Sequence, residues 1–180
     1  MSKTKKIILS GLLLAILIVF DRFISIKTMY LQVSFSFLPI ILAAIILGPK
    51  YSTVIAALGD LIGALLWPFG AYFVGFTIVD AITGLIYGLL LHKKGDGEFF
   101  ENKKLLIRLI ISSAIVLWII DLPCMSLMLS LLYGNAFLVV LSGRIITKLI
   151  MFPIQIGIIF FLSKYIKELS LKYLYTENVE

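Results

Sequence analysis

Five ionisable residues interrupt long apolar runs: Asp60, Asp80, Asp121, Arg144 and Lys148. A charge inside a membrane span is costly, so such residues face the protein interior or a wet cavity. Arg144 and Lys148 stand four apart and share a helix face that continues to Gln155. Trp118, Asp121 and Met125 share a face of the preceding segment, and Pro123 deprives the carbonyl of Ile119 of its helical donor. An aromatic, a carboxylate and a free carbonyl at one kink suit a flat heterocycle, with the carboxylate accepting from ring N–H groups and Trp118 stacking. The competing reading makes Asp121 and Lys148 a structural ion pair. Asp60, between Gly59 and Gly63, and Asp80 have an equally plain alternative, satisfying a neighbouring helix. Arg22 and Lys27 belong at the mouth of such a pocket. Between Trp67 and Phe76 there are five aromatics in ten residues and no charge. Trp67 and Tyr72 therefore belong either to a lid over an organic ligand or to an aromatic belt at the interface.

The chemistry on offer is recognition rather than catalysis. The apolar segments hold no His, the commonest general base, and the sequence has no Walker A loop, H-E-x-x-H, C-x-x-C or G-x-S-x-G motif. The single Cys124 excludes an intrachain disulfide and a Cys-rich metal site. No cofactor and no enzymatic activity are expected.

The elements that carry these residues are set by composition. Of 180 residues 61% are hydrophobic and only 14% charged, against about 45–50% and about 25% in soluble domains. Lipid is the fitting solvent for such an exterior. The apolar runs predict an all-α integral membrane protein, one transmembrane domain over 1–180, with six helices near 7–26, 35–47, 52–67, 74–91, 105–132 and 137–162. At 1.5 Å per residue, Asp60 and Asp80 lie roughly 10 Å, and Asp121 and Lys148 roughly 15 Å, from the outer helix ends. All five charges thus fall in the outer half of the membrane, the pattern of a pocket open to the outside. Twelve of the sixteen Lys and Arg fall on the side of both termini, the exceptions being Arg22, Lys27, Arg144 and Lys148. The positive-inside rule then predicts cytoplasmic termini. It also accounts for the net charge of +6 without a nucleic-acid partner.

The first helix carries Gly11-x-x-x-Ala15, a small-residue spacing that lets a second helix approach closely. The strings Arg22-Phe-Ile-Ser-Ile-Lys-Thr, Gln32-Val-Ser-Phe-Ser-Phe-Leu-Pro39, Leu47-Gly-Pro, Gly59-Asp-Leu-Ile-Gly, Pro68-x-Gly-Ala-Tyr-Phe, Asp121-Leu-Pro and Arg144-Ile-Ile-x-Lys148 resemble the folate-specific S components, the FolT family, of energy-coupling-factor (ECF) vitamin transporters. The resemblance covers about residues 7–165. It implies a six-helix bundle in a prokaryotic plasma membrane that captures folate or a related pterin vitamin. Its implied partners are a transmembrane T component and two cytoplasmic ABC ATPases. The family's T-contact motif is Ala-x-x-x-Ala, so Gly11 and Ala15 match it with one departure. Folate suits the charges: Asp121 for the pteridine, Arg or Lys for the carboxylates of the glutamate tail. Another vitamin on the same scaffold (riboflavin, thiamine or pantothenate), a small intramembrane enzyme and a purely structural subunit are the alternatives.

Overall fold

The structure, a computed structural model, describes the backbone of residues 2–27, 32–68, 70–92 and 102–175 and the side chains of 2–25, 33–68, 70–92 and 104–162. The helices are α1 (Lys3–Arg22), α2 (Phe37–Leu47), α3 (Pro49–Leu66), α4 (Val74–Leu91), α5 (Asn102–Ala114), α6 (Leu122–Tyr133) and α7 (Phe137–Tyr175). A π-helical stretch, Ile115–Asp121, joins α5 to α6, so the described residues form six helical rods. Three of these are long and apolar enough to cross a membrane: Val74–Leu91, Lys104–Tyr133 and Phe137–Leu162. Large apolar side chains such as Leu131, Leu138 and Phe161 point outward at 73–78% exposure, as expected where lipid replaces water.

α1 starts on a serine cap, with Ser2 Oγ accepting from the Lys5 N–H at 3.3 Å. It ends at Arg22, where the sequence allowed an extension through Ile26. The N–H groups of Phe23 and Ile24 both return to the Val19 carbonyl, and Ser25 Oγ donates to the Asp21 carbonyl, a local bond that competes with further helix. The chain then enters a short antiparallel ribbon, β1 (Ile26–Lys27) against β2 (Gln32–Val33), with Ile26 opposite Val33. At the other end α7 runs to Tyr175, past the apolar stretch that closes near 162. The Lys, Glu and Leu residues that follow are strong helix formers.

α2 is apolar all round and lies at the centre. It shares one core with Leu13 and Leu17 of α1, Ile55 of α3, Tyr87 and Leu91 of α4, Leu109 of α5 and Ile159 of α7. A helix of this kind is a core helix. It stops at Gly48, whose φ of +86° suits glycine, and Pro49 opens α3 at once. The His92 ring lies against this corner, with Nδ1 3.0 Å from the Ile45 carbonyl. Other close approaches rest on small residues. A Cβ on Gly88 would strike the Pro49 backbone and come within 2.7 Å of Ser52 Oγ. Ser52 Oγ in turn donates to the Gly84 carbonyl at 2.7 Å, so α3 and α4 touch backbone to backbone. On the other face of α3, Gly59 receives Leu17 and Gly63 receives the Arg22 guanidinium.

Candidate ligand-binding site

All six rods contribute to one cavity of about 260 Å³, just under the roughly 300–1,000 Å³ of small-molecule pockets. α1 contributes Asp21 and Arg22, the approach to α2 Ser34 and Ser36, and α3 Asp60. α4 supplies Phe76, Asp80, Thr83 and Tyr87 as one stripe, while Asp121, Met125 and Tyr133 come from the π segment and α6. α7 supplies Arg144, Lys148, Met151 and Gln155.

The charges fall into two clusters on different helix pairs. In the first, Arg22 reaches across Gly63 to α3. Its Nε lies 3.1 Å from Asp21 Oδ2 and its Nη2 3.6 Å from Asp60 Oδ1. Nη2 also donates to the Asp60 carbonyl at 3.3 Å, and Nη1 to the Trp67 carbonyl at 3.4 Å. Asp60 Oδ2 accepts from Thr77 Oγ1 at 2.6 Å, and Thr77 shares a 2.7 Å hydrogen bond with Tyr72. Arg22 therefore ties the end of α1 to the end of α3 and, through Asp60, to the start of α4.

In the second cluster Asp121 stands between two cations. Arg144 Nη2 approaches its two carboxylate oxygens at 3.4 and 3.5 Å, and Lys148 Nζ pairs with Oδ2. Asp80 is close enough to Lys148 to interact with its charge. Arg144 is 7% exposed, and its Nε–H is buried without a hydrogen-bond partner among the described residues. A buried donor left unmade is expensive, and Arg144 is also one of the residues that line the cavity. Farther along the same wall, Gln155 Nε2 donates to Tyr87 Oη at 2.5 Å.

Of the residues singled out from sequence, Arg22, Asp121, Met125, Arg144 and Lys148 line this cavity. Lys27 lies in β1, and its side chain falls outside the described residues. Trp67 does not line the cavity: it is 45% exposed, packed edge-on against Phe23 with ring centroids 5.4 Å apart. Tyr72 is also outside the lining, reaching it only through Thr77 and Asp60. Trp118 is absent from the lining as well, because the segment is not α-helical. The wider π turn, with bonds from i to i+5, turns Val116 and Leu117 inward above Asp121 and leaves Trp118 aside. Gly11 and Ala15 are both exposed on α1, and a Cβ on Gly11 would meet nothing within 4 Å. The sequence reading missed Ser34, Ser36, Phe76, Tyr87 and Tyr133. For Tyr87 a signal existed: Asp80, Thr83 and Tyr87 fall at i, i+3 and i+7, a polar stripe down α4.

A polytopic helical bundle with a lipid-facing exterior and a charged recess inside is the build of a ligand-binding membrane subunit. The description "ECF-type riboflavin transporter, S component" matches residues 1–168, and the chain belongs to this family of ECF transporter S components. Among curated proteins, the folate transporter FolT of Clostridium novyi (strain NT) is 30% identical over 172 residues, 95% of each chain. FolT of Leuconostoc mesenteroides subsp. mesenteroides is 38% identical over 164 residues, 88% of this chain and 84% of the relative. A solved structure of FolT bound with folic acid superposes with a TM-score of 0.79 at 34% identity, covering 90% of this chain and 94% of that one.

Proposed function

We propose that this protein captures folate from outside the cell and hands it to a transmembrane T component driven by two cytoplasmic ABC ATPases. It does so in the cell membrane with both termini in the cytoplasm, and it carries no catalytic activity of its own. The observation that carries the reading is the recess in which Asp121, held between Arg144 and Lys148, faces a cavity that also receives Arg22. Folate has the matching groups. Asp121 accepts an amino N–H of the pteridine, while Arg22 and Lys27, apart from the Asp121 cluster, serve the carboxylates of the glutamate tail. Met125 lies beside Asp121 on the same wall. Ring stacking falls to Phe76 or Tyr133, which line the cavity, rather than to Trp118. Gly11 and Ala15 present a flat, open helix face for the T component.

Two relatives and the solved neighbour carry the name FolT, which supports folate. The family description names riboflavin, which keeps that vitamin as the second reading. Titration of folate and riboflavin into detergent-purified protein, followed by quenching of tryptophan fluorescence, decides between them. Saturable quenching by folate without ATP, with no ATP hydrolysis above a mock preparation, is expected. Saturation by riboflavin alone would overturn the choice of vitamin.

A further inference from the structure

The geometry points to Gln155 as the residue that reads the lactam edge of the bound heterocycle at the closed end of the cavity, with Tyr87 as its positioning residue. The inference rests on the reading of a heterocyclic vitamin given above. Gln155 follows Arg144 on α7 by eleven residues, roughly 16 Å along the helix, and Tyr87 follows Asp80 on α4 by seven, roughly 10 Å. Both are almost sealed, at 2% and 1% exposure, yet both line the cavity. The recess therefore ends on them, away from the charged clusters, and the groups it offers there are neutral.

Nothing in the packing of an apolar bundle requires a carboxamide at this depth, and burying one without partners is unfavourable. Tyr87 satisfies only part of it. Its hydroxyl takes one Nε2 hydrogen at 2.5 Å and so orients the amide. Among the described residues no protein donor reaches Gln155 Oε1. Oε1 and the second Nε2 hydrogen remain side by side. A cyclic lactam offers N–H and C=O side by side, the complementary pair. Pteridines and isoalloxazines both carry such an edge, so the assignment holds for folate or riboflavin. Tyr87 acts through Gln155: without its hydroxyl the amide loses the bond that fixes its plane.

The experiment uses the full chain in detergent and four ligands: folate, riboflavin, pterin, and 3-methylpterin, whose lactam N–H is blocked while its carbonyl is kept. Binding is measured by calorimetry on wild type, Gln155→Leu and Tyr87→Phe, each checked for monodispersity. Wild type should prefer pterin to 3-methylpterin by about 5- to 100-fold, the effect of stranding one buried acceptor. The preference should fall to about twofold or less in Gln155→Leu and to an intermediate value in Tyr87→Phe. A merely structural role would weaken both pterins equally and leave their ratio untouched, which overturns the inference. So does a wild type that binds the two alike. That result also covers the opposite amide orientation, in which the tyrosine donates to Oε1 and only N–H groups face the ligand carbonyl. The wild-type comparison stands even if neither variant folds. Should wild type bind riboflavin and not folate, the folate reading fails, and the same test runs on riboflavin and its N3-methyl derivative. Should it bind neither, both readings fall.

Discussion

Replacing Asp121 with Asn tests whether the second charged cluster is recognition or scaffolding. The carboxylate faces Arg144 Nη2 at 3.4 Å and Lys148 Nζ, on side chains only 8% and 13% exposed. An amide neutralises neither cation. Breaking a buried pair by removing one partner costs about 3–5 kcal/mol. Because Asp80 still acts on Lys148, the loss should sit at the lower end, about 3 kcal/mol, and should lower the melting temperature without ligand. If the carboxylate also accepts a pteridine N–H, a charge-assisted bond of about 1.5–3 kcal/mol goes as well, a rise of about 10- to 160-fold in Kd. Lys148→Met separates the two effects, since it removes the cation that Asp121→Asn strands. In that background Asp121→Asn should destabilise less than half as much, yet still weaken pterin binding by about tenfold. Thermal melts and calorimetry on the four members of the cycle supply both numbers. If the ligand effect disappears together with the stability effect, Asp121 is structural and the recognition argument is wrong.

Gly63→Ala should leave the fold intact but push the flexible guanidinium of Arg22 off α3, since the new Cβ would come within 3.0 Å of Nη2. Folate affinity should fall about fivefold, and an unchanged Kd removes Arg22 from the site. Gly88→Leu meets rigid backbone at Pro49 instead, so it should destabilise the α3–α4 pair by about 1–3 kcal/mol, read as a lower melting temperature; a melt like wild type contradicts the close approach. Gly11→Leu and Ala15→Leu alter an open surface. They should bind folate as wild type does while retaining less T component on co-purification, and undiminished retention moves the interface elsewhere.

The sequence made the helical membrane bundle legible because lipid imposes continuous apolar runs, and the Gly48-Pro49 corner because few residues tolerate that turn. Asp121, Arg144 and Lys148 were legible for a related reason: charges in such runs have nowhere to go but inward. What stayed hidden depends on how distant helices meet. Trp118 sits on the Asp121 face under α-helical spacing, and only the π stretch before Pro123 moves it off. Tyr87, between Ile86 and Gly88, reads as ordinary core until Gln155 of α7 arrives beside it. Trp67 and Tyr72 suited either a lid or an aromatic belt at the interface, because a charge-free aromatic loop fits both. The structure puts their carbonyl and hydroxyl, rather than their rings, into the network around Arg22 and Asp60.

The burial of α2 has a consequence for how this chain tolerates change. Its eleven residues reach roughly 16 Å, about half of a hydrocarbon layer of about 30 Å, and nearly all are sealed by other helices. The medium around α2 is therefore protein, although the medium around the bundle is oil. On the outer faces of α6 and α7, one aliphatic side chain can stand for another because fluid lipid closes around either. Around α2 nothing flows, and a lost methylene leaves a void. The chain thus obeys two substitution codes at once, a permissive one on its rim and a jigsaw code at its axis. The wall that Phe37 and Ile40 give the cavity is written in the second.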